Sequence, residues 1–269
     1  MNEKIPVAVC GALGRMGRRV IDAIHNSGNL TLVGAAERPD CPDLGTDVGL
    51  LTGLGPLGAP VTADFAQAAA KAKVYVDFTT PAAVMANLAA AQSLGVAAVI
   101  GTTGLDAPQR ETLAKTAGKI PVLWSPNMSL GVNLMYKVAQ LMAKSLGPDF
   151  DLEIIETHHR LKKDAPSGTA LKLLEVLSAA RDLDPAAAMV PGRNGLVGAR
   201  TDNEIGVLAV RGGDIVGDHT ILFAGPGERL ELTHRAHSRD TFAAGAIRAA
   251  AWIAGQKPGL YSISDVLGL

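Results

Sequence analysis

Residues 153–174 read EIIETHHRLKKDAPSGTALKLL and gather adjacent histidines, His158 and His159, three cations, Arg160, Lys162 and Lys163, and a Ser-Gly-Thr turn at 167–169. An imidazole titrates near neutrality, so His158 suits proton transfer at physiological pH. Lys162, four residues on, is close enough through a turn to share that site. An ammonium there can donate a proton or stabilise developing negative charge. Ser167, Gly168 and Thr169 precede a helix-like run, whose first turn offers N–H groups to a carboxylate, and Gly168 lets backbone approach a ligand. His159 and the nearby cations add charge-assisted donors. The chemistry that fits is a pocket for a small substrate with more than one carboxylate, beside a proton donor. Adjacent histidines can also ligate zinc, but neighbours at i and i+1 point apart, and no Cys/His set at ligand spacing accompanies them, so no metal is predicted. A solvated basic loop is the plainer alternative.

A second constellation lies at the other end. VAVCGALGRMGRRV places Gly11, Gly14 and Gly17 at a strand-to-helix junction. Glycines there permit a tight turn and close backbone approach, and the helix N-terminus offers N–H groups and a positive dipole end to a pyrophosphate. The spacing is GxxGxxG, weaker as a signal than GxGxxG, and a ligand-free glycine-rich turn is the alternative. Glu37 ends the second strand-like run, where a carboxylate would accept hydrogen bonds from an adenine-ribose 2′-OH. Arg38 follows, and an arginine there can grip a 2′-phosphate. The pair suggests use of both NAD and NADP. A solvated loop is the competing reading of these two residues. The loops GTTG at 101–104 and SPNM at 125–128 leave later strands on the same edge and are candidates to hold the nicotinamide and its ribose. DFTTP at 77–81 shares that edge, with helix capping by Thr80 as an equal alternative.

The elements that must position these groups follow from hydrophobic pattern. IPVAVCG, LTLVGAAE, KVYVDFT, VAAVIGTTG and IPVLWSPN are short apolar runs, separated by helical spacings such as Met16-Val20-Ala23-Ile24 and Val84-Leu88. Pro81 and Pro108 suit first helical turns, and Gly118 a helix end. This alternation predicts a Rossmann-like, doubly wound parallel sheet of the α/β class. After about Ser129 the pattern changes to a long helix to about Leu146, a strand in DLEIIETHH and an amphipathic helix in TALKLLEVLSAARDL. Three further strand-like runs follow, joined by Gly-Gly-Asp and Gly-Pro-Gly turns. They predict a second α+β domain with a mostly antiparallel meander. Both alternating sets in IGVLAV are apolar, so one sheet face takes the helices and the other needs a partner, which predicts a homo-oligomer. The helix in TFAAGAIRAAAWIAG is expected to return to the first domain. The first part is thus expected to take the dinucleotide, and the part after about Ser129 the substrate and the oligomer contacts.

Composition bounds the rest. The chain has 269 residues, 48% hydrophobic and 19% charged, with net charge −1. That balance argues against a general nucleic-acid binder. The apolar stretch 82–100 is broken by Asn87, Gln92, Ser93 and Gly95, so a buried helix and strand are expected there and no membrane span. The N-terminus makes a poor signal peptide. Cys10 and Cys41 form no CxxC pair or disulfide framework, which suits a cytoplasmic protein.

CGALGRMGRRV, DFTTP, GTTG, SPNMSLGVN, ETHHRLKKDAPSGTAL and GDHTILFAGPGERLELTHRAHSRDTFAAGA together resemble, in order, the motifs of the 4-hydroxy-tetrahydrodipicolinate (dihydrodipicolinate) reductase family. The HHRxKxDAPSGTA segment carries most of the specificity. The resemblance implies reduction of a cyclic imine dicarboxylate by NADH and/or NADPH, with loss of the 4-hydroxyl as water, in the diaminopimelate–lysine pathway. It implies His158 as proton donor and acceptor, Lys162 as the second donor, and His159, Gly168 and Thr169 as holders of the substrate carboxylates. It implies a cofactor lined by Gly11, Ala12, Leu13, Gly14, Arg15, Met16, Glu37, Arg38, Gly101, Thr102, Thr103, Ser125, Pro126, Asn127 and Met128. It further implies a dinucleotide-binding domain at 1–128 with 240–269, a substrate-binding and oligomerisation domain at 129–239, a homotetramer assembled through the second domain's sheet, and domain closure that brings substrate to nicotinamide. Met128 stands where many members carry an aromatic, and Lys163 is assigned no role. Two rival readings remain: another dehydrogenase with the same first domain, needing neither HHRxK nor SGT, and a dinucleotide sensor that would not need His158 and Lys162.

Overall fold

The structure, a computed structural model, describes residues 3–269. The chain divides into two compact units, Met1–Leu130 with Asp240–Leu269, and Gly131–Arg239.

In the first unit the chain runs β1 (Ile5–Cys10), α1 (Arg15–His25), β2 (Leu30–Ala36), α2 (Val48–Thr52), β3 (Val61–Thr62), α3 (Phe65–Ala69), β4 (Val74–Asp77), α4 (Pro81–Leu94), β5 (Ala97–Ile100), α5 (Ala107–Ala117) and β6 (Pro121–Trp124). After the second unit it returns with α9 (Asp240–Ile253), β12 (Gly259–Tyr261) and α10 (Ile263–Leu267). The seven strands pair in parallel in the order β12-β6-β5-β4-β1-β2-β3. Successive side chains of the central strands enter opposite cores, which is why these strands read as unbroken apolar runs. Val7, Val9, Val74, Val76 and Val99 join the core that holds α1 and α9. Ala8, Cys10, Tyr75, Ala98 and Ile100 join the core that holds α3, α4 and α5. The alanines of α9, Ala243, Ala246, Ala249 and Ala250, are buried in the first of these cores, and Asp240 pairs with Arg19 of α1.

The second unit comprises α6 (Leu130–Leu146, its first residue in the first unit), β7 (Asp151–His158), α7 (Gly168–Ala180), α8 (Pro185–Ala188), β8 (Met189–Val190), β9 (Ile205–Arg211), β10 (Gly217–Gly225) and β11 (Glu228–Ala236). The sheet order is β11-β10-β7-β9-β8. The pairings of β10 with β11 and with β7 are antiparallel, whereas β7–β9 and β8–β9 are parallel. The expected meander is therefore corrected in one respect: β9 and β10 are not neighbours, because β7 lies between them. The turn after β9 crosses the end of β7 instead of closing a hairpin, and Gly212 N donates to His158 O (2.9 Å) while Arg160 N donates to Gly213 O (3.1 Å). Leu152, Ile154, Val207, Ile221 and Phe223 pack on one face with Leu173, Leu174 and Leu177 of α7. On the other face Val210 is 47% exposed, and Ile155, Leu208 and Leu222 are half-buried.

Candidate active site

At the end of β1 the backbone makes the tight turn that opens α1. Gly11 has φ +63, and a Cβ at Gly17 would lie 2.0 Å from Gly11 O, so helix and turn touch backbone to backbone. Helices α2, α3, α4, α5 and α7 are capped by the side chains of Asp47, Asp64, Thr80, Asp106 and Ser167, but the N-cap of α1 is Gly14, which has no side chain to cap it. Its first-turn donors are thus left to a ligand or to water. Glu37 closes the cradle: one carboxylate oxygen accepts from Leu13 N (3.0 Å) and the other from Arg38 N (3.0 Å). Arg15 and Arg38 are exposed, Leu13 and Met16 half-buried, and Ala12 fully buried.

The neighbouring loops interlock on the same sheet edge. Asp77, fully buried at the end of β4, accepts from Thr79 N (2.8 Å), Thr79 Oγ1 (2.6 Å) and Asn87 Nδ2 (2.9 Å). Burial pushes its carboxyl above the ordinary value, against the pull of those hydrogen bonds. Thr102 Oγ1 donates to Thr79 O (3.2 Å), Trp124 Nε1 to Thr102 O (3.2 Å), and Ser125 Oγ to Asn127 O (2.7 Å). Thr80 does cap α4, accepting from Ala83 N. Gly101, Thr102, Ser125 and Met128 are buried, whereas Thr103 and Pro126 are exposed. The Met128 side chain packs within the core of α1 and α9, so it is the loop backbone that this position offers to the edge.

In the second unit, β7 delivers Glu156 and His158 to the same sheet face, two residues apart, as the strand repeat requires. Glu156 is fully buried and accepts four hydrogen bonds: from His158 Nδ1 (2.6 Å), Ser167 N (3.0 Å), and Arg211 Nη1 and Nη2 (2.8 Å each). Burial pushes its carboxyl up, but Arg211 and His158 outweigh this and leave it below the ordinary range. His158 goes the other way. Burial lowers its pKa, Glu156 recovers part of the loss, and the charges of Lys162 and Arg211 add to the lowering. Lys162 lies in the loop after β7, its Nζ 2.7 Å from Asp164 Oδ2. His159 is half-buried, with no hydrogen-bond partner at its buried Nδ1. Ser167 caps α7 by accepting from Ala170 N (3.2 Å). Gly168 is exposed, and a Cβ there would meet nothing within 4 Å, so the missing side chain relieves no contact inside the chain. Thr169 hydrogen-bonds the hydroxyl of Tyr136, whose pKa burial pushes up to about 12.

Glu156, Arg211 and His219 surround His158 but were passed over by pattern reading, which took in Asp77 only as part of DFTTP. Glu156 sits inside an apolar strand, and its partner Arg211 is 55 positions away. The signal available for Glu156 was its place two residues before His158 on a strand, which puts both on one face. Among the described residues, no group of three or more His, Cys, Asp or Glu is placed to hold a metal, and no helix is long and apolar enough to cross a membrane.

The sequence matches the family models described as dihydrodipicolinate reductase, N-terminus, over residues 5–128 and dihydrodipicolinate reductase, C-terminus, over residues 131–267. This chain belongs to the dihydrodipicolinate reductase family. Relatives named 4-hydroxy-tetrahydrodipicolinate reductase include that of Citrifermentans bemidjiense, 48% identical over 265 residues that cover 98% of this chain and 99% of the relative. That of Alkalilimnicola ehrlichii is 50% identical over 263 residues, 98% of each chain. Among solved structures, dipicolinate-bound dihydrodipicolinate reductase from Paenisporosarcina sp. TG-14 aligns over 96% of this chain and 97% of its own, with TM-score 0.77 and 29% identity. GenD2 from gentamicin A biosynthesis, in complex with NAD, shares the fold at 13% identity and TM-score 0.63, over 99% of this chain and 91% of its own. The two segments of the reductase family meet between residues 128 and 131, where the chain also passes between its compact units.

Proposed function

We infer that this chain is a 4-hydroxy-tetrahydrodipicolinate reductase of lysine and diaminopimelate biosynthesis. It is an NAD(P)H-dependent oxidoreductase that converts (2S,4S)-4-hydroxy-2,3,4,5-tetrahydrodipicolinate to (S)-2,3,4,5-tetrahydrodipicolinate. One hydride and one proton enter, and the hydroxyl leaves as water. The observation that carries this reading is full-length kinship, close to half the residues, with reductases of that name.

Within it, His158 gives the proton through Nε2, since Nδ1 is engaged by Glu156. Lys162 is the second donor, and its ammonium faces developing negative charge once the substrate displaces Asp164 from it. The first turn of α7 at Gly168 and Thr169, with His159, holds the carboxylates. The open space over Gly168 and the half-buried imidazole of His159 support that assignment. The uncapped N-terminus of α1, the close turn at Gly11 and Gly17 and the Glu37 carboxylate fit a dinucleotide. Gly11–Met16 and Glu37–Arg38 would take its pyrophosphate and adenosine ends, and Gly101–Thr103 and Ser125–Met128 its nicotinamide end. When bound, the reduced nicotinamide supplies the hydride. Glu37 beside Arg38 favours use of both NADH and NADPH. The first unit is thus the dinucleotide-binding domain and the second the substrate-binding domain. The apolar outer face at Ile155, Leu208, Val210 and Leu222 is the surface through which four copies assemble in the cytoplasm.

The test is a coupled assay. The aldol product of pyruvate and aspartate semialdehyde is supplied, and oxidation of NADPH and of NADH is followed separately. Oxidation that depends on that product is expected with each cofactor. Its absence with both overturns the assignment.

A further inference from the structure

We propose that Glu156, backed by Arg211, is the positioning residue of the proton donor. It fixes His158 in the Nδ1–H tautomer, so that Nε2 alone carries the proton that moves, and it ties that imidazole to the carboxylate-binding turn. The proposal rests on the reading of His158 as donor.

The argument starts from donors and acceptors. Oε2 of Glu156 faces His158 Nδ1 and Arg211 Nη1, and Oε1 faces Ser167 N and Arg211 Nη2. A guanidinium and a backbone N–H have only hydrogens to give. Arg211 donates a charge-assisted hydrogen bond to each carboxylate oxygen and Ser167 N adds one to Oε1, which holds the group as an anion that only accepts. The hydrogen shared with His158 therefore sits on Nδ1, whether the ring is neutral or cationic, and titration falls to Nε2. This is the division of labour that a carboxylate enforces on a histidine base in hydrolase triads.

The same carboxylate sets a distance. His158 and Ser167 are joined by a loop, yet both hydrogen-bond the one buried group. Arg211 adds a bond from Nη2 to Asp164 O (2.7 Å), inside that loop. Register explains how it gets there: parallel pairing of β7 with β9 sets His158 opposite Arg211. The groups that face His158 are Glu156 on its own strand, Arg211 on β9, His219 on β10 (ring centroids 5.2 Å apart), and Lys162 with Asp164 in the loop. Among them, Glu156 is the buried anion, and it opposes the cations around the ring. As a purely stabilising device the pair gains little, because burying two charges costs about what their attraction returns.

Histidine nitrogen NMR of the wild-type protein reads the tautomer directly, with His158 assigned by its loss in His158→Gln. The expected result is Nδ1 protonated at both ends of the titration, with Nε2 alone changing state. A neutral ring protonated at Nε2 overturns the proposal. In Glu156→Gln, kcat is expected to fall about tenfold to a hundredfold, as misplacement of a reacting group costs. The high-pH limb of kcat/KM should move about one pH unit lower, because the ring has lost its anion. NAD(P)H affinity should hold, and Glu156→Asp should restore part of the limb. A limb that stays in place while activity merely follows the folded fraction overturns the proposal. If Glu156→Gln does not fold, the wild-type tautomer decides. Full turnover in His158→Gln would instead overturn the donor reading, and the tautomer measurement separates the two failures.

Discussion

Ser167 Oγ and His219 Nε2 lie 3.0 Å apart at the buried foot of the turn that opens α7. The imidazole is 4% exposed, and its Nδ1 has no hydrogen-bond partner. Burial, with the charge of a nearby protonated His158, lowers its pKa to about 4. The folded protein therefore keeps His219 neutral, while the unfolded chain protonates it below its ordinary value near 6.5. Between those values the unfolded state binds the extra proton, so stability contributed by this residue is lost as pH falls from about 6.5 toward about 4. The loss is at most about 3 kcal/mol. His219→Gln can keep the bond to Ser167 and removes the titration. Urea midpoints measured across that window should fall less steeply in the variant than in the wild type. Parallel slopes would exclude His219 as a source of acid lability.

Gly168 separates a structural from a binding role. A Cβ at this position meets nothing within 4 Å, and the backbone is not in the left-handed region. Gly168→Ala should thus leave stability unchanged or raise it by about 0.4–1 kcal/mol through the unfolded state. If the turn receives a substrate carboxylate, the added methyl stands where that anion must approach, and KM should rise about tenfold while the melting temperature holds. An unchanged KM would place the carboxylate elsewhere.

The parts of the fold legible in sequence are those where burial leaves a pattern. β1, β4 and β5 read as apolar runs because both faces are covered, and Pro81 and Pro108 mark helix starts chemically. Helices α2 and α3 and strand β3 left no such trace, at five, five and two residues. They are held by Asp47, which accepts from the backbone N–H groups of Gly49, Leu57, Gly58 and Ala59, and by Asp64 at the start of α3. Periodicity cannot register an arrangement of that kind. The insertion of β7 between β9 and β10 was hidden for a related reason: a short glycine turn looks the same whether it closes a hairpin or crosses a strand end. At the site, titratable residues close in sequence stood out, whereas Glu156 and Arg211 required the register.

Substrate binding should be coupled to proton uptake. In the unliganded protein burial lowers the pKa of His158, and the charges of Lys162 and Arg211 lower it further. A dianion placed against the ring offsets those two charges, favours the imidazolium and raises that pKa. At a pH between the free and bound values, the complex therefore binds a proton that the free protein does not. Titration calorimetry with pyridine-2,6-dicarboxylate, in buffers of different ionisation enthalpy, should show net uptake that vanishes in His158→Gln. Binding heats that do not depend on buffer would mean that the diacid sits away from His158.

Glu37 and Leu13 make the last test, at the cofactor end. The carboxylate accepts from Leu13 N, so it braces the glycine turn, and its negative charge lies next to Arg38 in sequence. A ribose 2′-hydroxyl gains a hydrogen bond from that anion, whereas a 2′-phosphate is repelled by it. Glu37→Ala removes the brace for both cofactors but removes the repulsion for NADPH alone. Affinity for NADH should fall about tenfold or more, the scale of one charge-assisted hydrogen bond. Affinity for NADPH should fall less, so that the ratio of the two kcat/KM values moves toward NADPH. Equal losses for both cofactors would show that Glu37 acts only on the turn. A shift toward NADH would mean that the adenosine ribose does not lie at the end of β2.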